Sequence, residues 1–463
     1  MHAATLRVLA EVGVALESPL GREILTGAGA TVREERVLLP PDLVENALAH
    51  CPAQVRLRGR SGASVALGDG ALHWHNLGGA RDVYDPRSGQ RRPAGVQDVI
   101  DSTRLLDAMD QATSVTPLFT PQDVPGEIMS LAMYRHALPH TTKPVHGPGV
   151  QTAQEVEYAV RMAQVIGPPS EVLSLGISPV SPLTFPDDVV EAMLAAARHS
   201  IPLGPLPCPT AGTTAPLSMA GALVQQNAEI LASIVLVELA QPGLPVMYTG
   251  RLAMMEPRTA ISVWGGIELG LLSAATVQLG HRYGLPVNVY GFSTNAHLPN
   301  LQNGYERALN ALLPALAGAD ELSGIGEMEA GVLSCQAQIV ADNEIAASVQ
   351  RALRGFDTGE EALAVEVIAA VMDGPRNFVA QRHTRQFLRS GEISLSRLPE
   401  RRSWEEWDRS GREGLLERCQ AEAERLIAGH QVEPLAPEQE RELDDILKEA
   451  EGRDRTRTST DGR

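Results

Sequence analysis

Between residues 94 and 358 the chain alternates between two kinds of segment, and this alternation limits its fold more than any other feature. Short runs rich in β-branched residues, each closed by Gly, Pro or a polar residue, are separated by long Ala- and Leu-rich amphipathic stretches. Parallel strands need long crossovers, and amphipathic helices supply them, so the pattern reads as strand–helix units around a parallel sheet. Eight runs carry it: 113–119, 143–146, 172–177, 201–206, 244–249, 260–263, 286–290 and 320–325. They predict an α/β fold, a (β/α)8 TIM-like barrel, with helices over 155–165, 187–197, 217–240, 266–283 and 305–317. The link from 249 to 260 has no room for a full helix, so a doubly wound open sheet is the alternative.

The flanks differ from this middle part. Residues 1–93 read as a small N-terminal α+β cap, with helices followed by short alternating strands (VRLRGR, SVALGDG, LHWHN) and the turn YDPRSGQRRP. Residues 359–449 read as a charged helical extension, and 450–463, lacking apolar periodicity, are expected to be disordered. No internal repeat is visible.

Composition narrows the chemistry. Aromatic residues are 4% of the chain, so the core is aliphatic and any aromatic cluster is informative. A net charge of −18 argues against nucleic acid or an anionic membrane as partner and suits a small cationic substrate. Cys51, Cys208, Cys335 and Cys419 are too far apart for a CxxC motif, which predicts reduced thiols in a cytoplasmic protein. The most apolar stretch, 220–240, includes Gln225, Gln226, Asn227 and Glu229 and is too polar for a membrane span.

In a (β/α) barrel the functional residues follow the strands. His146, Cys208, Tyr248 with Arg251 close behind, Trp264, and Tyr290 with Phe292 all stand at such ends. Tyr248, Trp264, Tyr290 and Phe292 together suggest a cage for a quaternary or tertiary ammonium, held by cation–π attraction. Arg251 is the candidate for a substrate carboxylate. The polar loop after the seventh strand, with Asn295, His297, Asn300 and Gln302, reads as substrate contact, although Asn300 or Asn303 also fits as a helix cap. His73, His75, His136, His140 and His146 do not combine into a recognisable metal motif, and no protein-built metal site is expected. Gly324-Ile325-Gly326 loosely resembles a phosphate loop, but Glu327 and Glu329 beside it would repel a phosphate.

The segment 209–232, PTAGTTAPLSMAGALVQQNAEILA, resembles the trimethylamine methyltransferase family, with its AG-x-x-x-P loop running into a helix that contains NAE. Gly265-Gly266-Ile267-Glu268, the segment 298–306 (LPNLQNGYE), the segment 340–345 (VADNEI), and His383-Thr384-Arg385 with Trp407 extend the resemblance over nearly the whole chain. The resemblance implies a barrel enzyme that passes a methyl group from a methylated amine to Co(I) of a corrinoid (cobalamin) on a partner protein, with no tightly bound cofactor of its own. Family members acting on trimethylamine carry pyrrolysine, and the equivalent position here falls between Phe292 and Gln302, with His297 the candidate. A non-pyrrolysine member resembles the glycine betaine:corrinoid methyltransferases. On this basis His297 and Asn295 are the expected catalytic residues. Tyr248, Trp264, Glu268, Tyr290, Phe292, Asn300, Gln302, Arg251 and His146 are the expected substrate contacts, and a homo-oligomer is expected. Two other readings stay open: a metal-dependent barrel lyase or hydrolase using His146 and His297, and a non-catalytic betaine-binding homologue.

Overall fold

The computed structural model of the chain describes residues 1–460 apart from Pro148 and Pro375, with side chains described as far as Arg453. Its centre is a set of short parallel strands: β1 (His73–Asn76), β2 (Val145–Gly147), β3 (Leu173–Ile177), β4 (Leu203–Pro205), β5 (Tyr248–Gly250), β6 (Val287–Tyr290) and β7 (Glu321–Ile325). β2, β3 and β4 pair in that order, as do β5, β6, β7 and β1. Single parallel bridges extend both sides: Leu203 with Val246 joins β4 to the residues just before β5, and Val115 with Val145 joins the 113–119 run to β2. The 113–119 run also reaches β1, since the Thr113 amide donates to the Trp74 carbonyl at 2.9 Å. The core packed around these strands is mostly Val, Leu, Ile and Ala.

Amphipathic helices follow the strands much as the spacing predicts: α1 (Ala153–Ile166), α2 (Asp187–Arg198), α3 (Met219–Ala240), α4 (Ile267–Arg282), α5 (Leu301–Leu316) and α6 (Gln336–Leu353). α1 opens with a capping box in which Thr152 and Glu155 satisfy each other's backbone amides. α3 is apolar on nearly every side because it is covered twice, by the sheet beneath and by N-terminal helices above. It is long and apolar enough to cross a membrane, yet 78% of its apolar window is buried inside the fold.

Two expectations about the strands are corrected. Residues 260–263 do not form a strand of the parallel set; Ser262–Val263 pairs antiparallel with Ala253–Met255, which lies beside Thr210–Ala211. The missing crossover helix explains this, because a chain that cannot cross over must turn back as a hairpin. His73–Asn76, assigned above to the cap, instead lies parallel to β7. Its sequence, HWHN, carries no apolar run, since Asn76 and His75 are buried among polar partners of the sheet interior.

The C-terminal part continues through α7 (Glu360–Leu363), α8 (Val365–Met372), α9 (Arg382–Arg389), α10 (Trp404–Arg409), α11 (Leu415–Gly429) and α12 (Pro437–Thr460). The expected disorder from residue 450 is therefore also corrected, as α12 runs through to Thr460. Leu443, Ile446 and Ala450 are buried against the body, and Arg135 binds Glu440 and Asp444 at 2.8 Å each. Residues 461–463 of the expected tail lie outside the described residues.

Candidate active site

The end of β5 delivers Arg251 to the middle of the sheet, where it is 4% exposed. Its guanidinium donates to the carbonyls of Gly250 (3.1 Å) and Asn288 (3.0 Å) and to the Asn288 side chain. It also lies over the Tyr290 ring, 4.5 Å from the centroid. All of these partners are neutral, and among the described residues no carboxylate lies within ion-pair distance of it. A buried cation without an anion is unfavourable unless something anionic joins it.

Below Arg251 a chain of hydrogen bonds runs through the polar interior. Asn288 Nδ2 donates to His75 Nε2 at 2.9 Å and to Glu321 at 2.5 Å, and Ser114 donates to the other Glu321 oxygen at 3.1 Å. His75 Nδ1 donates to the Asn76 carbonyl at 2.7 Å, which leaves Nε2 as the acceptor. His146 bonds Ser174 at 2.7 Å and meets the His75 ring edge-on at 4.8 Å. Burial drives both imidazoles down to about 3, so both are neutral near pH 7.

Above Arg251 the aromatic surface is smaller than the sequence suggests. Trp264 and Tyr290 meet edge to face at 5.3 Å and are both partly open. Tyr248 is instead completely buried under α3, where its hydroxyl donates to Asn227 at 2.7 Å. Phe292 is likewise buried, stacked on Trp74 at 4.9 Å. Successive strand residues point to opposite faces, so a position at a strand end does not fix the side it serves. The cage of four reduces to one pair, and one face of that pair is already taken by Arg251.

The loop after β6 also departs from expectation. His297 turns outward, 73% exposed, with Nδ1 3.2 Å from Glu329, so it does not face the interior. Asn295 has its amide fully engaged: Oδ1 accepts from the Trp264 and Gly265 amides at 2.7 and 2.8 Å, and Nδ2 donates to the Ser262 carbonyl. Asn300 is the N-cap of α5, accepting from the Asn303 amide at 3.1 Å. Gln302 is exposed and donates to Glu306 at 2.9 Å. Glu268 sits in the first turn of α4, where a carboxylate favours the helix dipole. This geometry brings Arg251, Trp264 and Tyr290 together and sets His146 in the interior near them; His297 faces outward and Tyr248 and Phe292 are buried elsewhere, while Asn295 and Asn300 hold backbone amides, Gln302 bonds Glu306 and Glu268 stands in the first turn of α4.

One residue was passed over. Glu327 follows β7, is 1% exposed, and accepts from Ser293 at 2.8 Å through one oxygen while Oε2 has no partner. Burial lifts its carboxyl to about 8, against the opposing pull of Arg307 and Ser293, so it is mostly protonated at neutral pH. The strand-end rule applied to 320–325 would have found it; judging it only as a neighbour of a phosphate loop hid it. Gly324 holds this corner, with φ at +108° and the Phe292 carbonyl 2.2 Å from where a Cβ would sit. Cys208, after β4, is exposed.

Among the described residues no group of three or more His, Cys, Asp or Glu is gathered as for a metal ion. His146, in the interior, and His297, at the surface, are not brought together.

Comparison with known proteins gives a consistent result. A family model described as "Trimethylamine methyltransferase (MTTB)" matches residues 1–452. "Trimethylamine methyltransferase MttB" of Desulfitobacterium hafniense is 31% identical over 97% of this chain and 92% of its own length. A "Glycine betaine methyltransferase" from another strain of that species is 27% identical over 95% of this chain and 92% of its own length. In three dimensions the chain shares the fold of the Methanosarcina barkeri monomethylamine methyltransferase, with a TM-score of 0.51 and 12% identity over 98% of this chain and 92% of that one.

Proposed function

This chain belongs to the trimethylamine methyltransferase family, and on that footing we propose that it takes a methyl group from a quaternary amine bearing a carboxylate, of the glycine betaine class, and passes it to a corrinoid on a partner protein. It is a methyltransferase, as its relatives are, so the lyase, hydrolase and non-catalytic readings fall away. We also infer that the parallel strands close into an eight-stranded barrel, with the 113–119 run filling the place between β1 and β2. The thiols are unbridged, which fits a reducing cytoplasm.

The observation that carries the substrate reading is the buried Arg251 with only neutral partners. A substrate carboxylate is the anion it lacks, and the guanidinium fork suits carboxylate geometry. With that end fixed, the ammonium end lies toward Trp264, whose ring attracts a cation. Glu327, being mostly protonated, adds no full negative charge beside the nitrogen. This matters because the charge on nitrogen vanishes as the methyl leaves, and a tight anionic contact would hold the ground state back.

The corrinoid supplies the nucleophilic metal that accepts the methyl. The departing tertiary amine is neutral, so the chain needs no general acid at the nitrogen. Its task is to align the N–CH3 bond and limit water. Partly open Trp264 and Tyr290 with exposed Cys208 suit a mouth that a carrier protein approaches.

The test is methylation of the corrinoid protein from glycine betaine, tetramethylammonium and trimethylamine. Glycine betaine is expected to be the fastest donor. Arg251→Gln should lower kcat/KM for glycine betaine by roughly 10- to 100-fold, the size of a lost charge-assisted hydrogen bond, while sparing tetramethylammonium. Faster transfer from trimethylamine, or equal loss on all donors, rejects the reading.

A further inference from the structure

Three neighbouring strands set Arg251 at one end of a row of polar groups. β6 lies between β5 and β7, with Asn288 beside Thr249 on one side and beside Glu321 on the other. Arg251 stands just past β5, so its guanidinium reaches the Asn288 side chain from one edge while Glu321 reaches it from the other. All three residues are buried.

The orientation of the Asn288 amide follows from its neighbours. Glu321 accepts through both oxygens, from Ser114 at 3.1 Å and from Asn288, which is the bonding of an ionised carboxyl. His75 offers Asn288 its acceptor nitrogen at 2.9 Å. The amide nitrogen therefore faces Glu321 and His75, and the amide oxygen is left to accept from Arg251. Tyr290, two residues further along β6 and so on the same face, covers the guanidinium with its ring.

A cation and an anion thus share one interior with a neutral amide between them. Two desolvated charges held apart forgo much of their attraction, so a buried guanidinium and a carboxylate one side chain away would ordinarily pair directly. His75, 3.9 Å from Glu321, is neutral and does not stand in for the guanidinium. Direct contact of Arg251 with Glu321 would also cancel the charge that recognises an anionic ligand. An amide in that place holds the guanidinium by a hydrogen bond and leaves its charge uncancelled.

We propose that Asn288 is a specificity-determining residue, a spacer that positions Arg251 while keeping the Glu321 carboxylate from pairing with it, so that the guanidinium charge is reserved for the carboxylate of a zwitterionic methyl donor. This role rests on the reading of Arg251 as the carboxylate anchor. Glu321 is then a competitor of the substrate carboxylate for one cation, at a distance that the amide maintains. Removing the competitor should improve binding, whereas letting a carboxylate reach the cation should spoil it. A residue that merely supports the fold would weaken binding in either case.

Titration calorimetry of the full chain with glycine betaine and with tetramethylammonium tests this. Glu321→Gln keeps the size of the side chain and still accepts from Asn288, with its amide nitrogen turned to Ser114. It should bind glycine betaine roughly 3- to 10-fold more tightly than the wild type, the scale of removing a unit charge one side chain away, and tetramethylammonium no more tightly. Asn288→Asp puts a carboxylate on the guanidinium; beside Glu321 the two acids hold one negative charge between them, and Arg251 draws it to position 288. That variant should bind glycine betaine at least about 10-fold more weakly, as a guanidinium already neutralised does, and keep its affinity for tetramethylammonium. If Asn288→Asp costs the fold, both ligands are lost together and Glu321→Gln decides alone. A wild type in which Arg251→Gln changes neither ligand's affinity removes the anchor, and the spacer falls with it. Where Arg251→Gln weakens glycine betaine selectively the anchor stands, and the spacer alone is refuted by a Glu321→Gln variant that binds glycine betaine no more tightly than the wild type, or by a folded Asn288→Asp variant that binds it as well.

Discussion

At the scale of single residues, protonation separates Glu327 from the other carboxylates. Its folded value of about 8 lies above the ordinary 4.5, so between those limits the folded chain binds a proton that the unfolded chain has released. Its stabilising effect is therefore complete below about pH 4.5 and is lost as the pH rises toward 8. Glu327→Gln keeps the neutral shape and abolishes the titration. Melting temperatures from pH 5 to 8 should fall less steeply for the variant than for the wild type; parallel curves would mean that Glu327 ionises as an ordinary surface acid does. The residues of the site were only half legible. Arg251 and Tyr290 follow from the strand-end rule, whereas Trp264 was placed by a run that the structure turns into a hairpin; the same rule named Tyr248 and Phe292, because the sequence marks where a strand stops and not which of its faces meets the interior.

At the scale of elements, Asn295 fastens two strand-end loops together, since its one oxygen accepts both the Trp264 and Gly265 amides. Asn295→Ala leaves two partly buried donors unpaired, at about 1–3 kcal/mol each, and should speed amide exchange at Trp264 and Gly265 as well as lower stability. Asn295→Asp keeps the acceptor and should hold both amides. By contrast Asn300→Ala removes only the exposed cap of α5 and should cost about 1 kcal/mol with turnover intact. Unchanged exchange in Asn295→Ala would show that the loops are held some other way. Helices were the legible elements here, because their amphipathic period survives any neighbour. The strands were less so: HWHN of β1 has no apolar signature because its surroundings are polar, and 260–263 looked like a strand of the sheet although the chain has no crossover there.

At the scale of the whole molecule, the C-terminal helix belongs to the fold. Leu443 and Ile446 are buried against the body, and Gln439 donates to the Val165 carbonyl at 2.7 Å. Each such aliphatic side chain contributes about 1.5–3 kcal/mol by burial. Truncation after residue 436 should therefore lower stability by at least about 3 kcal/mol, measured by urea unfolding, and an unchanged midpoint would show α12 to be dispensable. Charge-rich sequence hid this, because the few apolar residues of α12 form a narrow stripe among many acids and bases.

The close packing of α6 against α11 has a consequence for descent as well as for folding. Two helices that meet at the root of an excursion make its point of departure and its point of return neighbours. Residues 354–414 are then topologically a cassette, replaceable in length and composition without rerouting the polypeptide. A shorter or longer excursion from this root would leave the strands and the buried Arg251 where they stand.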